Sequence, residues 1–116
     1  MNQREIGSHY EREAGAYLSE QGYTILEYNV HSRGGEVDIV ARDGEYLVFV
    51  EVKYRRDTRK GEPLEAISAT KQRRICRCAL YYIQKQGLQD LPVRFDVVGV
   101  LGNALQLVRN AFEFRL

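Results

Sequence analysis

The sequence predicts an α/β domain, with a mixed central β-sheet flanked by helices in the order α-β-β-β-α-β-β. Three observations predict it. Two stretches, Glu5 to Gln21 and about Pro63 or Leu64 to Gln86, carry apolar residues at three- and four-residue steps. Five shorter stretches are rich in Val, Ile, Leu, Tyr and Phe and are separated by glycine-containing turns. The second helix separates a run of three strands from the last two, so it acts as a crossover between a meander and further strands of a mixed sheet.

In the first helix Tyr10, Ala14, Tyr17, Leu18 and Gln21 share a face, and Gly22 stands where a helix ends. Tyr23 to Val30 reads as a strand, and Ser32-Arg33-Gly34-Gly35 as a turn. Glu36 to Ala41 and Tyr46 to Tyr54 are two strands joined through Asp43-Gly44, a strong hairpin signal between alternating apolar runs. Arg55 to Gly61 is polar and basic. The second helix is expected to break near Ser68–Thr70 and to close at Gly87, with an apolar stripe of Ile75, Cys78, Ala79, Tyr82 and Ile83. Val93 to Val100 and Ala104 to Arg109 are the last strands, turned at Gly102-Asn103. No repeat, low-complexity tract or linker divides the 116 residues, which read as one domain able to bury a core without metal or disulfide staples.

Hydrophobic residues at 44% and charged residues at 28% exclude a disordered chain. Apolar runs such as Tyr46–Val50 and Ala79–Ile83 are too short to span a bilayer, and Met1 to Ile6 lacks a secretory apolar stretch. These features predict a cytoplasmic protein with no membrane partner. Cys76 and Cys78 would point about 200° apart on a helix and lack zinc-site spacing, so both read as small apolar residues.

The net charge is only +1, but it is unevenly spread. Lys53 to Arg77 holds nine basic and three acidic residues, whereas the rest of the chain holds eight basic and thirteen acidic. Such a segment suggests an anion site, and nucleic acid is the usual large anion. A solvated, arginine-rich surface is the other reading of the charge alone.

Acidic residues interrupt the central hairpin, which reads Glu36-Val37-Asp38-Ile39-Val40 and Phe49-Val50-Glu51-Val52-Lys53. Side chains alternate along a strand. A two-residue loop at Asp43-Gly44 sets Glu36 opposite Glu51 and Asp38 opposite Phe49. Glu36, Asp38, Glu51 and Lys53 then share one face, with Asp38 and Glu51 as diagonal neighbours. Val37, Ile39 and Ala41 form the apolar other face with Val48, Val50 and Val52. Two carboxylates at that spacing can hold a hard cation, and an all-oxygen set favours Mg2+ or Mn2+ over zinc. Lys53 can reach the same point to hold a water or to steady charge on phosphate oxygens. A salt bridge at the sheet rim is the structural alternative.

Gly35-Glu36-Val37-Asp38 followed by Phe49-Val50-Glu51-Val52-Lys53 resembles the D…E-x-K signature of the PD-(D/E)XK nuclease superfamily. The chain is similar in particular to the YraN family, through Glu11-x-x-Ala14-x-x-x-Leu18-x-x-x-Gly22, Asn29, Lys71-Gln72, Arg94-Phe95-Asp96-Val97-Val98 and Asn110-Ala111-Phe112. The resemblance implies a restriction-endonuclease-like core related to Holliday-junction resolvases. It implies Asp38 and Glu51 as ligands of Mg2+ or Mn2+, helped by a carbonyl near Val52, and Lys53 as catalytic lysine. Glu11 would be a first-helix acid at the site and Gln72 a polar second-helix residue near it. Glu36 would support the site or bind an arginine. Tyr10, Val30, His31 and Val37 depart from the family pattern without removing a catalytic group.

The expected activity is metal-dependent hydrolysis of phosphodiester bonds in DNA, branched or damaged DNA included. Arg55, Arg56, Arg59 and Lys60, with Lys71, Arg73, Arg74 and Arg77, would contact flanking phosphates without reading sequence. Two other readings stand beside it: a nucleic-acid-binding module without turnover, and a protein-interaction adaptor. Phe112 and Phe114 would dock a partner, close the core, or form a homodimer.

Overall fold

The computed structural model describes residues 2–59, 61 and 67–116. Helix α1 (Gln3–Glu20) is capped by Asn2, whose side chain accepts the Glu5 N–H at 2.9 Å. Strands β1 (Thr24–Ser32), β2 (Gly35–Asp43) and β3 (Tyr46–Arg55) form the expected meander, α2 (Ala69–Gln86) crosses over, and β4 (Val93–Leu101) and β5 (Ala104–Phe112) finish the chain. The five strands lie in sequence order, antiparallel except for the parallel β3–β4 pair on either side of α2. Ser68 caps α2 by accepting the Lys71 N–H at 3.1 Å, which accounts for the break expected near Ser68–Thr70. Gly87, with φ +67°, closes it. The expected helical start at Pro63 or Leu64 lies outside the described residues.

The helices cover opposite faces of the sheet. Ala14 and Leu18 of α1 pack on Ile39, Ala41, Val48, Val50, Val98 and Val100. Ile75, Cys78, Ala79 and Tyr82 of α2 pack on Val40, Leu47, Phe49 and Phe95. Each fully buried aliphatic side chain contributes roughly 1.5–3 kcal/mol relative to exposure. Cys76 and Cys78 are free and buried, as their reading as small apolar residues requires. Gly35 sits hard against α2, where an added Cβ would lie 1.9 Å from the Arg74 carbonyl oxygen.

The hairpin turn differs from the expected one. Asp43 pairs with Tyr46 and Ile39 with Val50, so the loop is Gly44-Glu45, one residue later than Asp43-Gly44. Gly44 has φ +59° and Glu45 has no positive φ, the pattern of a type II′ turn with glycine at its first central position. Moving a two-residue loop by one position shifts the register by two, so the faces survive but the partners change. Continued one step beyond Ile39–Val50, this register sets Asp38 directly opposite Glu51, not opposite Phe49.

The expected apolar face is also interrupted. Tyr28 and Ile39 pack on the α1 side, yet Val30 and Val37, one pair further on, pack on the α2 side. Between them Asn29 has φ +54°, and this left-handed residue breaks the alternation opposite Asp38. A matching irregularity at Asn110, also φ +54°, carries β5 past the expected end at Arg109 to Phe112. There the Asn110 N–H donates to Asp96 Oδ1 at 2.9 Å.

Asp96 is fully buried. It also accepts from the Tyr23 hydroxyl at 2.6 Å and from Arg94 at 2.9 Å, and Arg94 pairs with Asp43 at 2.7 Å. The Arg94-Phe95-Asp96 and Asn110 positions therefore serve the fold.

Candidate active site

The site forms where β2 and β3 stop pairing through their backbones. Asp38 Oδ2 accepts the Val52 N–H at 2.8 Å, taking the place of a ladder carbonyl. This bond turns the Asp38 carboxylate into the gap between the strands, beside Glu51. Glu51 is 5% exposed, and its Oε2 has no donor while the carboxylates are ionised. Glu11, Asp38, Glu51 and Lys53 line one open cleft of about 300 Å3 together with Ile6, Gly7, Tyr10, Val52 and Tyr54. The Tyr10 and Tyr54 rings stack on its wall, 4.0 Å between centroids.

The structure thus brings together four of the five residues expected at the chemistry: Glu11, Asp38, Glu51 and Lys53. It does not bring Gln72 to them. The Gln72 amide donates to the Ile67 carbonyl at 3.2 Å, and the side chain lines a separate cavity with Val97, Val108 and Phe112, one strand over from Glu51. From α2 it is Lys71 that reaches the carboxylates. Its Nζ lies 3.6 Å from Glu51 Oε1 and 3.7 Å from Glu36 Oε1. Glu36 Oε2 also lies 3.5 Å from His31 Nδ1.

The carboxylates are held in a costly arrangement. Burial, with the charge of Asp38 next in importance, pushes the Glu51 carboxyl up to about 8, although Lys71 and Lys53 favour its ionised form. Burial, again followed by the charge of Asp38, pushes Glu11 up to about 7, against a hydrogen bond from Asn29 that lowers it. Asp38 is raised by burial, which the Val52 N–H and Lys71 oppose. Three acids raised by burial, two of them also by the charge of Asp38, are a place that favours added positive charge.

The donors fit a hard cation. They are all oxygen, one is a buried atom without a donor, and the set is compact. Among the described residues, no three or more His, Cys, Asp or Glu side chains are spaced as a complete cage. Two carboxylates that leave other positions to water or phosphate are the usual way to bind magnesium.

Of the basic residues, Arg56, Arg59, Arg73, Arg74 and Arg77 are exposed and Arg55 is half-buried. Arg55, Arg56, Asp57 and Arg59 line a pocket that shares Tyr54 with the carboxylate cleft. Arg74 and Arg77 lie by Gly35 and Gly34 at the β1–β2 turn. Lys60 lies outside the described residues. Phe112 stacks on Phe95 and helps close the core, whereas Phe114 is 50% exposed. Among the described residues no helix is long and apolar enough to cross a membrane.

Sequence alone does not bring Lys71 to Glu51 or Asn29 to Glu11. Lys71 stood among the phosphate contacts because its charge was legible but the approach of α2 to β3 was not. Asn29 had a signal: asparagine within a run of strand formers is the residue that tolerates a left-handed backbone.

A mixed five-stranded α/β sheet with an acid–lysine cleft opening beside its central strands defines the structural class. The family model of the uncharacterised protein family UPF0102 matches residues 10–100. The chain is 53% identical to a UPF0102 protein of Lachnoclostridium phytofermentans over 97% of both chains. It is 45% identical to one of Caldicellulosiruptor saccharolyticus, over 97% of this chain and all of the other, and 42% identical to one of Marinobacter nauticus over 95% and 94%. The chain belongs to the UPF0102 family, also called YraN.

Proposed function

We propose that this protein is a Mg2+- or Mn2+-dependent endonuclease that hydrolyses phosphodiester bonds of DNA, branched or damaged DNA included. The observation that carries the proposal is half-buried Asp38 beside buried Glu51 where β2 and β3 stop pairing, with a Glu51 oxygen that has no hydrogen-bond partner and Lys53 in the same cleft. Asp38 and Glu51 would hold the metal. When bound, it would supply positive charge to the scissile phosphate and acidify a neighbouring water. Lys53 steadies the negative charge that grows on the phosphate oxygens during in-line attack. Glu11, whose ionised form Asn29 favours, adds a third carboxyl to the cleft. Arg55, Arg56 and Arg59 in the pocket that shares Tyr54 with the cleft, and Arg73, Arg74 and Arg77 on α2, position the flanking backbone through phosphate contacts.

The test is a cleavage panel of linear duplex, single-stranded, flap and four-way-junction DNA with magnesium, manganese or calcium. Cutting by the wild type and not by Glu51→Gln supports the proposal. Salt-sensitive binding without cutting would favour a binding module.

A second reading, docking of a second copy, is favoured by one observation. Leu80 and Phe114 are both exposed and line one apolar groove of about 340 Å3 with Phe95 and Phe112. Sedimentation at micromolar concentration decides it, and a monomer counts against an obligate dimer.

A further inference from the structure

Lys71 stands where an added cation would stand. Its ammonium touches Glu51 at 3.6 Å and Glu36 at 3.7 Å, while the side chain keeps 30% of its surface in solvent. Its backbone is fixed by the Ser68 cap, so the ammonium reaches the cleft from an anchored point on a flexible stem. Arg73 and Arg74 beside it are exposed. Among the described residues, Lys71 is the only group forming an ion pair with Glu51. A divalent ion on Asp38 and Glu51 would place two positive charges against the same carboxylate that Lys71 neutralises.

We infer that Lys71 is a tethered counter-ion that competes with divalent metal for Glu51, so that it sets the metal affinity of the cleft and swings outward when metal binds. The inference rests on the proposed metal site. The metal-free protein keeps its acids partly neutralised through Lys71. Binding replaces one positive charge with two and frees the ammonium at the cleft mouth, where a substrate phosphate can meet it. Lys71 is therefore a positioning residue, distinct from Lys53.

The experiment is calorimetric titration of Mn2+ into wild type, Lys71→Gln, Lys71→Met and Lys71→Arg, without nucleic acid, at low and high salt, with thermal melts of each. The neutral variants should bind Mn2+ at least about fivefold more tightly than wild type at low salt, with a smaller gain at high salt. Lys71→Arg should stay within about twofold of wild type, because it keeps the charge. Metal-free Lys71→Gln and Lys71→Met should melt lower than wild type and gain more from Mn2+. If wild type binds Mn2+ and both neutral variants bind equally or more weakly, the inference fails and the nuclease reading stands. If no form binds Mn2+, both fail.

Discussion

Asp38 Oδ2 accepts the backbone N–H of Val52 at 2.8 Å, at the step where β2 and β3 cease to pair through their main chains. The side chain both completes the hydrogen bonding of β3 and aims a carboxylate at the cleft. Substitution can separate the two roles. Asp38→Asn keeps an acceptor for Val52, so its denaturant midpoint should stay near wild type while metal binding and cleavage fall at least about 100-fold. Asp38→Ala leaves the Val52 N–H unsatisfied as well and should lose a further 1–3 kcal/mol or so of stability. Urea denaturation of the two variants, with manganese titration, checks this.

The raised carboxyls make metal-free stability depend on pH. Glu51 at about 8 and Glu11 at about 7 keep protons in the folded state that the unfolded chain has already released. Between the ordinary carboxyl range and about pH 8 the native state therefore binds more protons, and stability falls as pH rises. Thermal melts without metal should drop by several degrees from pH 5 to pH 8. Glu51→Gln should flatten that slope and melt above wild type at pH 8. Mg2+ or Mn2+ should raise the wild-type midpoint more at pH 8 than at pH 5.

Asn29 has a backbone role and a side-chain role. Its φ of +54° suits asparagine or glycine, and its side chain favours the ionised form of Glu11. Asn29→Ala should lose about 1–2 kcal/mol through the strained backbone. Asn29→Gly should recover most of that stability but not the order of Glu11. Comparing midpoints with manganese affinity for the two variants distinguishes these effects.

Asp96 ties β4 to Tyr23, Arg94 and Asn110. Asp96→Ala would leave the Tyr23 hydroxyl and the Asn110 N–H without an acceptor and Arg94 with Asp43 alone, and a buried polar group left unpaired typically costs about 1–3 kcal/mol. Denaturation should show that loss. Metal affinity at a temperature where the variant stays folded should change little.

Most of the fold was legible because each element carries its own local signal. The helix faces, the Gly87 stop and the crossover position all lie in short windows of sequence. The shared cleft of Asp38, Glu51 and Lys53 was legible too, since strand alternation tolerates an even shift of register. The direct opposition of Asp38 and Glu51 was not, because it depends on whether Gly44 takes the first or the second position of the turn. The exchange of faces at Val37 depends on one backbone angle at Asn29. The choice of Lys71 over Gln72 depends on how α2 lies on the sheet, which no short window of sequence carries.

The most direct measurement is cleavage of four-way-junction, flap, single-stranded and linear duplex DNA by wild type and Glu51→Gln, each with manganese, magnesium or no divalent ion. Wild type should cut at least one shape only when Mg2+ or Mn2+ is present, and Glu51→Gln should be at least about 100-fold slower while equally folded. Cutting that persists in Glu51→Gln, or no cutting of any shape by a wild type that binds Mn2+, would contradict assignment of phosphodiester hydrolysis to the Asp38–Glu51 cleft.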